Sequence, residues 1–485
     1  MSSFSINDLF FRCLRNIKMI DTSPLSIAHH LQPILNNYPQ VLKLVHAIDA
    51  QHGRALLVGG AVRDLVLGIP VKDLDIEVHG LNIAQLEQIL RTFGPVSLVG
   101  KAFGVLRLHG LDVDWSLPRV DSSGRKPQVH IDPFMSIKEA FRRRDLTINA
   151  MGIDLTTFEL VDPFDGKEDL KKGILRAPDT TLFVEDPLRF FRVMQFIGRF
   201  EMKPDESLNA VCKTMDISQV SKERISTEFE KLLLKSKQPS LGFRWLLSIG
   251  RLGDVLPELQ ATIPIKQDPR WHPEGNLFEH SMQTLDAAVR LHYEHDAKLI
   301  MLYAALCHDL GKITTTVQEP DGSITCYGHD KAGVPITRRL LKRITLKKSF
   351  MRPIEKLVRY HMQPSQFING GAKAPAYKRL ARKLAPDVSM QMLADLSLAD
   401  GQGCNPNGHK PLLSHDPDTE AFRKKAQEIN VLEQAEQPIL QGRDLLGLVN
   451  PGKEMGMLLK KAYTIQMEEG IKDKEVLKQR VLNDQ

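Results

Sequence analysis

The sequence predicts a multidomain α+β protein, with an α/β head followed by helical segments to the end. Three observations carry this. The chain has 485 residues, where domains run to roughly 100–200 residues each. Short apolar runs and alternating patterns, the mark of strands, are confined to about residues 53–175. Beyond them, apolar residues recur at helical spacing. The expected organisation is a helical extension over 1–50, an α/β head over 51–175 and a helical neck over 176–262. A histidine-rich helical domain over 263–404 follows, then a linker and helical tail over 405–485.

Composition excludes several classes. Hydrophobic residues make up 42% and charged residues 26%, as in ordinary globular domains. No apolar run approaches the ~20 residues that span a bilayer. The N-terminus lacks the charged and apolar regions of a signal peptide. Five cysteines, without C-x-x-C, indicate neither a disulfide scaffold nor a thiolate zinc site. A cytoplasmic protein without a membrane partner is the expectation. The net charge of +6 argues for nucleic acid only where basic residues cluster, as at Arg142–Arg144, Arg338–Arg343 and Lys347–Lys348.

Taken in order, residues 1–50 read as helices, one with Pro24 in its first turn and Ser23 as a candidate cap. Residues 56–80, LLVGGAVRDLVLGIPVKDLDIEVHG, organise the head. The run Leu56–Val58 reads as a buried strand ending at Gly59-Gly60, and a short helix follows to Gly68. A second strand then carries Asp73, Asp75 and Glu77. Side chains two apart share a face of a strand, so Asp73 and Asp75 point together and repel unless a cation lies between them. Oxygen ligands suit Mg²⁺. Gly59 and Gly60 leave room for a phosphate at a helix N-terminus. A glycine turn beside an exposed acidic strand is the plainer reading of either feature alone.

Together, GGxVRD and D-x-D resemble the nucleotidyltransferase head of the class II tRNA nucleotidyltransferase and poly(A) polymerase family. The resemblance implies a polymerase beta-like fold, with Asp73 and Asp75 holding two Mg²⁺ ions. Residues 99–104 resemble the loop beside that family's catalytic strand. Asp112 and Asp114 form another alternating pair, either of them a candidate third carboxylate. Residues 119–136 read as a loop. RRDLTINA over 143–150 resembles the family's nucleotide-contacting motif. It makes Arg144, Asp145 and Asn149 candidates beside Gly59, Gly60 and Arg63, with Arg142 as surface. Asp162–Gly166, DPFDG, resembles a segment thought to couple movements of head and neck.

In the neck, Glu185-Asp186-Pro187-Leu188-Arg189 reads as a capped helix start. It resembles the family's EDxxR template, which implies that Asp186 and Arg189, with Arg192 as a third candidate, read the base of ATP or CTP. Residues 221–225 resemble a structural motif of the neck. Further on, His280, His308, Asp309 and Asp400 resemble the metal site of HD phosphohydrolases. A buried His-Asp pair is costly without ligation or hydrogen bonds, and imidazole with carboxylate suits a transition metal or Mg²⁺. His329 and His361 would ligate a second metal or contact phosphate.

A head, neck and HD domain together resemble the bacterial multifunctional CCA-adding proteins, and WHPEGNLFEHS over 271–281 fits that architecture. The expected activity is addition of C, C and A to the tRNA 3′ end from CTP and ATP, with a second phosphohydrolase activity. Two other readings stand: poly(A) or partial CCA addition, and an HD phosphohydrolase whose head only binds RNA.

Overall fold

The computed structural model describes residues 19–99, 104–121 and 129–483. The expected loop over 99–104 and the middle of that over 119–136 lie largely outside the described residues. The chain divides into two compact units, Met1–Arg251 and Leu252–Gln485. Among the described residues, no helix is long and apolar enough to cross a membrane.

The first unit opens with helices α1 (Pro24–Leu35) and α2 (Pro39–Asp49). Pro24 starts α1, but the Ser23 side chain does not cap it. Its hydroxyl donates instead to Asp21, 2.5 Å away. Strand β1 (Arg54–Val58), helix α3 (Gly60–Val66) and strand β2 (Leu74–His79) follow. Helix α4 (Ile83–Arg91) begins with a capping box between Asn82 and Gln85. Strands β3 (Val96–Val99), β4 (Val105–Leu108) and β5 (Val113–Ser116) come next, then the hairpin β6 (Arg119–Asp121) and β7 (Val129–Ile131). Helix α5 (Ile137–Arg142) precedes β8 (Gly152–Asp154) and β9 (Leu160–Val161). Seven strands form one mixed sheet in the order β3-β4-β5-β2-β1-β8-β9. Leu56 and Val58 of β1 pack with Phe141 and Ala150 in its core.

Sheet register decides which carboxylates meet. Strands β2 and β5 run parallel, with Asp75 opposite Asp114. Beyond the sheet come α6 (Gly166–Lys172), α7 (Thr180–Phe183), α8 (Leu188–Phe200), α9 (Glu206–Thr214), α10 (Lys222–Lys235) and α11 (Ser240–Ser248). Helix α8 buries Phe190, Phe191, Val193, Met194 and Ile197 against α10 and α11. Its arginines face the sheet domain.

The second unit is helical. Helices α12 (Leu252–Val255) and α13 (Pro257–Gln260) lead into α14 (Leu277–Ala288), α15 (His295–Cys307) and α16 (Lys312–Thr315). A small hairpin over 317–325 separates these from α17 (His329–Ile344), α18 (Lys348–Tyr360), α19 (Gln363–Asn369), α20 (Ala374–Leu384) and α21 (Met390–Gln402). The stretch 403–416 is irregular but not a free linker. Gln283 donates to the carbonyls of Asn405 and Gly408, and Arg290 to those of Pro411 and Leu412. The tail helices form their own core around Leu445, Leu458, Leu477 and Val481.

Candidate functional site

The head site begins at the end of β1. Gly59 adopts φ +72°, a conformation that a side chain would strain. It turns the chain into α3, while its own N–H donates to Met151 O at 3.3 Å. Asp73 lies just before β2 and Asp75 within it. Asp75 keeps solvent contact yet is crowded by protein, and that burial raises its pKa. The Asp114 and then the Asp73 carboxylates raise it further, while Arg144 opposes them. A carboxylate crowded by two others in this way suits a divalent cation.

Of the two later aspartates, register singles out Asp114. It also accepts from Arg107 Nε at 2.8 Å, whereas the Asp112 side chain is 86% exposed. Arg144 lies against the glycine turn, its Nη1 3.2 Å from where a Gly59 Cβ would stand. Arg142 is a surface residue paired with Asp179 and Glu139.

Arg63, expected to meet phosphate, is only 4% exposed and already engaged. Its Nη1 donates to Asn149 Oδ1 at 2.5 Å, and its Nε and Nη2 donate to Asp64. Asn149 donates to Asp145 at 3.0 Å. The other oxygen of Asp145 takes Arg192 Nε at 2.6 Å. Burial alone would raise the pKa of Asp145, but Arg192 and Asn149 hold it below the usual carboxylate range. The RRDLTINA segment is thereby fastened to α8. DPFDG packs on it from behind: Asp162 accepts from Gly166 N and Lys167 N, and a Gly166 Cβ would stand 2.3 Å from Thr147 O.

Asp186 precedes α8 and accepts from Leu188 N at 3.1 Å, although Pro187 and not Asp186 stands at the cap position. Its second oxygen accepts from Arg224 Nη2 at 2.9 Å. Sequence reasoning had treated the segment carrying Arg224 as scaffold. Arg189 donates to the carbonyls of Leu182 and Arg143. Asp186 and Arg189 therefore bracket the start of α8 with their polar groups held in place.

In the second unit, His280 stands on α14, His308 and Asp309 at the end of α15, and Asp400 on α21. His280 Nε2 lies 3.1 Å from His308 Nε2 and 3.0 Å from Asp400 Oδ1. His329 and His361 face each other at 3.1 Å through Nε2, both near Asp309 Oδ1, at 3.2 and 3.4 Å. The opposite oxygen of Asp309 faces His308 at 3.4 Å and His280 at 3.7 Å. Each histidine has its Nδ1 committed. His308, His329 and His361 donate to the carbonyls of Ala305, Cys326 and Val358, and His280 to Glu274 Oε1 at 2.8 Å. Four Nε2 atoms thus converge on one aspartate, the arrangement in which outer partners orient imidazoles toward a metal.

The electrostatics agree. Burial alone would lower the imidazole pKa values, yet Asp309 and Asp400 lift His308 to about 9, and Asp309 lifts His329 to about 10. A centre this anionic attracts cations, or protons in their place. Two groups could hold a divalent ion: His280, His308 and Asp309, with Asp400 Oδ1 3.0 and 3.5 Å from the two imidazoles, and Asp309, His329 and His361.

Three supporting residues were not singled out from the sequence. Glu274 accepts from both His272 Nδ1, at 3.0 Å, and His280. Lys312 Nζ donates to Asp309 Oδ2 at 2.6 Å, to Gln267 at 2.9 Å and to His272 Nε2 at 3.1 Å. All three lie in the WHPEGN and HDLGK stretches, and their sequence closeness to the ligands was the available signal.

Comparisons with known proteins follow the same division. The poly A polymerase head domain matches residues 55–176, a probable RNA- and SrmB-binding site of polymerase A matches 202–263, and the HD domain matches 277–395. The multifunctional CCA protein of Methylococcus capsulatus is 34% identical over 64% of this chain and 72% of its own length. That of Neisseria meningitidis serogroup A is 32% identical over 73% of this chain and 84% of its length. Among solved structures, the Thermotoga maritima CCA-adding enzyme complexed with tRNA aligns with a TM-score of 0.60 at 20% identity, covering 96% of this chain and 99% of that one. The Bacillus stearothermophilus CCA-adding enzyme in complex with CTP gives 0.59 at 18%, over 92% and 98%. These structures share the fold, and the two curated relatives share sequence over 64% and 73% of this chain. The chain belongs to the multifunctional CCA protein family.

Proposed function

We propose that the chain adds C, C and A to the tRNA 3′ end from CTP and ATP, releasing pyrophosphate, and that its HD domain is a second, metal-dependent phosphohydrolase site. The observation that carries the first activity is the meeting of Asp73, Asp75 and Asp114 beside the Gly59-Gly60 turn and Arg144. Asp73 and Asp75 would hold Mg²⁺, which when bound activates the RNA hydroxyl and offsets charge on the leaving pyrophosphate. Gly59, lacking a Cβ, would leave room for the triphosphate, Gly60 would offer it a backbone N–H, and Arg144 would meet its oxygens in a fork. Arg63, Asp145 and Asn149 would act from behind, fixing the segment that carries Arg144. Asp186 would accept from the amino group that both cytosine and adenine carry, and Arg189 would donate to a ring nitrogen or carbonyl. Arg192 would keep α8 docked so that both stay in place.

In the HD domain, His280, His308, Asp309 and Asp400, with His329 and His361, would hold one or two divalent ions. Bound ions there lower the pKa of water for attack on phosphorus. Lys312 would offset the negative charge of Asp309.

The test uses tRNA ending before its CCA, with CTP, ATP or both in Mg²⁺, and products resolved at single-nucleotide length. Two C additions and one A, then arrest, are expected. Exchanging Asp73 and Asp75 for Ala should abolish all three. A long A ladder without C would instead make the enzyme a poly(A) polymerase, and undiminished addition by the double variant would refute the metal-site assignment.

A further inference from the structure

Glu77 stands two residues beyond Asp75 on β2 and so continues the same acidic row. Unlike Asp75, it is buried, with 1% of its surface exposed. A carboxylate in this position has two uses: to ligate metal, or to anchor cations. Its oxygens are already committed. Oε1 accepts from His79 Nε2 at 3.1 Å, and Oε2 accepts from Arg144 Nη2 at 3.2 Å with Arg143 Nη2 3.6 Å away.

Arg144 is thereby tied at one edge only. Its plane rests on the Phe141 ring, with 5.0 Å from guanidinium carbon to ring centroid, and Nη1 reaches the glycine turn. Its Nε is buried and has no hydrogen-bond partner. A buried donor without a partner is costly, and beside a phosphate cradle a phosphate oxygen is the acceptor that would satisfy it. Arg144 also lies close enough to Asp75 to influence its charge.

We infer that Glu77 is a positioning residue for the triphosphate of the incoming nucleotide, acting through Arg144 and taking no part in base selection or metal ligation. This rests on the nucleotidyl-transfer reading and deepens it. Glu77 holds one edge of the arginine fork and presents its remaining donors beside Gly59. The ligand it serves is the nucleoside triphosphate, recognised by its charge and not by its base.

The test compares wild type with Glu77→Gln and with Glu77→Asp, which keeps the charge but draws the anchor back. Folding is checked by thermal unfolding. For both variants KM for CTP and for ATP should rise about tenfold, the size of one lost charge-assisted hydrogen bond. The kcat and the Mg²⁺ requirement should stay within about twofold of wild type. Affinity for ATP should fall while affinity for AMP holds. In an Arg144→Ala background, adding Glu77→Gln should change KM by less than about twofold, because the anchor has nothing left to hold. Additive losses in that cycle would overturn the inference, as would equal losses for ATP and AMP. A fall in kcat with a raised Mg²⁺ requirement would make Glu77 a metal ligand instead. A wild-type chain that adds no nucleotide at all removes the transfer reading itself, a result distinct from each of these.

Discussion

Replacing Glu274 by Gln separates charge from shape in the HD domain. The Glu274 side chain is wholly buried, and one oxygen accepts from both His272 and His280. The amide keeps an acceptor of the same size, so the rings stay oriented, but the negative charge that makes His280 Nε2 a stronger ligand is lost. Removing such an outer partner costs about 10–100-fold in metal affinity, or roughly 1.4–2.7 kcal/mol. The other oxygen of Glu274 has no hydrogen-bond partner, so the new amide N–H₂ is buried unsatisfied, at about 1–3 kcal/mol of stability. The assay is Mn²⁺ titration of phosphatase activity on a chromogenic phosphate monoester, with bound metal counted by equilibrium dialysis and unfolding followed by heat. The titration should shift to higher Mn²⁺ while CCA addition is unchanged. An unaltered Mn²⁺ dependence in a folded variant would show that Glu274 does not act on the metal centre, and would falsify this account of the outer shell.

Two further outcomes follow from local geometry. A Cβ at Gly311 would stand 1.9 Å from His329 O and 2.6 Å from Gly333 N, backbone on both sides. Gly311→Ala should therefore cost about 3 kcal/mol and displace the start of α17 with His329. Phosphatase loss with intact CCA addition, plus a lowered unfolding temperature, checks it; a fully active, equally stable variant would sink it. The second concerns acid. Burial opposes ionisation of Glu77, yet His79, Arg144 and Arg143 hold its pKa at about 2, against 4.5 for a free side chain. The folded value is depressed, so this contribution of about 3 kcal/mol is present above pH 4.5 and lost as pH falls from 4.5 towards 2. Denaturant unfolding across that range should show a shallower acid loss for Glu77→Gln than for wild type. Parallel curves would refute it.

Much of both sites could be read in the chain because their key residues form short, local patterns. Gly59-Gly60, Asp73, Asp75 and the His308-Asp309 pair each declare their chemistry within a few residues. The α+β division and strands β1 to β5 were legible from periodicity, whereas the hairpin β6–β7 falls where a loop was expected and β8 and β9 gave no strand signal. What was hidden depends on distant pairing. Asp114 could not be told from Asp112 until parallel pairing of β2 with β5 set one opposite Asp75. Arg63 looked like a phosphate ligand because it follows the Gly59-Gly60 turn closely in sequence. Only the fold shows it buried against Asn149, 86 positions away. Arg224 likewise meets Asp186 across 38 residues, a separation at which no local spacing rule operates.

The chain of contacts from Asp64 through Arg63, Asn149 and Asp145 to Arg192 has a mechanical consequence. A joint crossed by buried, charge-assisted hydrogen bonds is stiff, because opening it would strip Asp145 of partners inside the protein. The glycine turn and the start of α8 therefore travel as one rigid piece. Any movement of α8 away from the sheet would first have to break the Arg192–Asp145 pair.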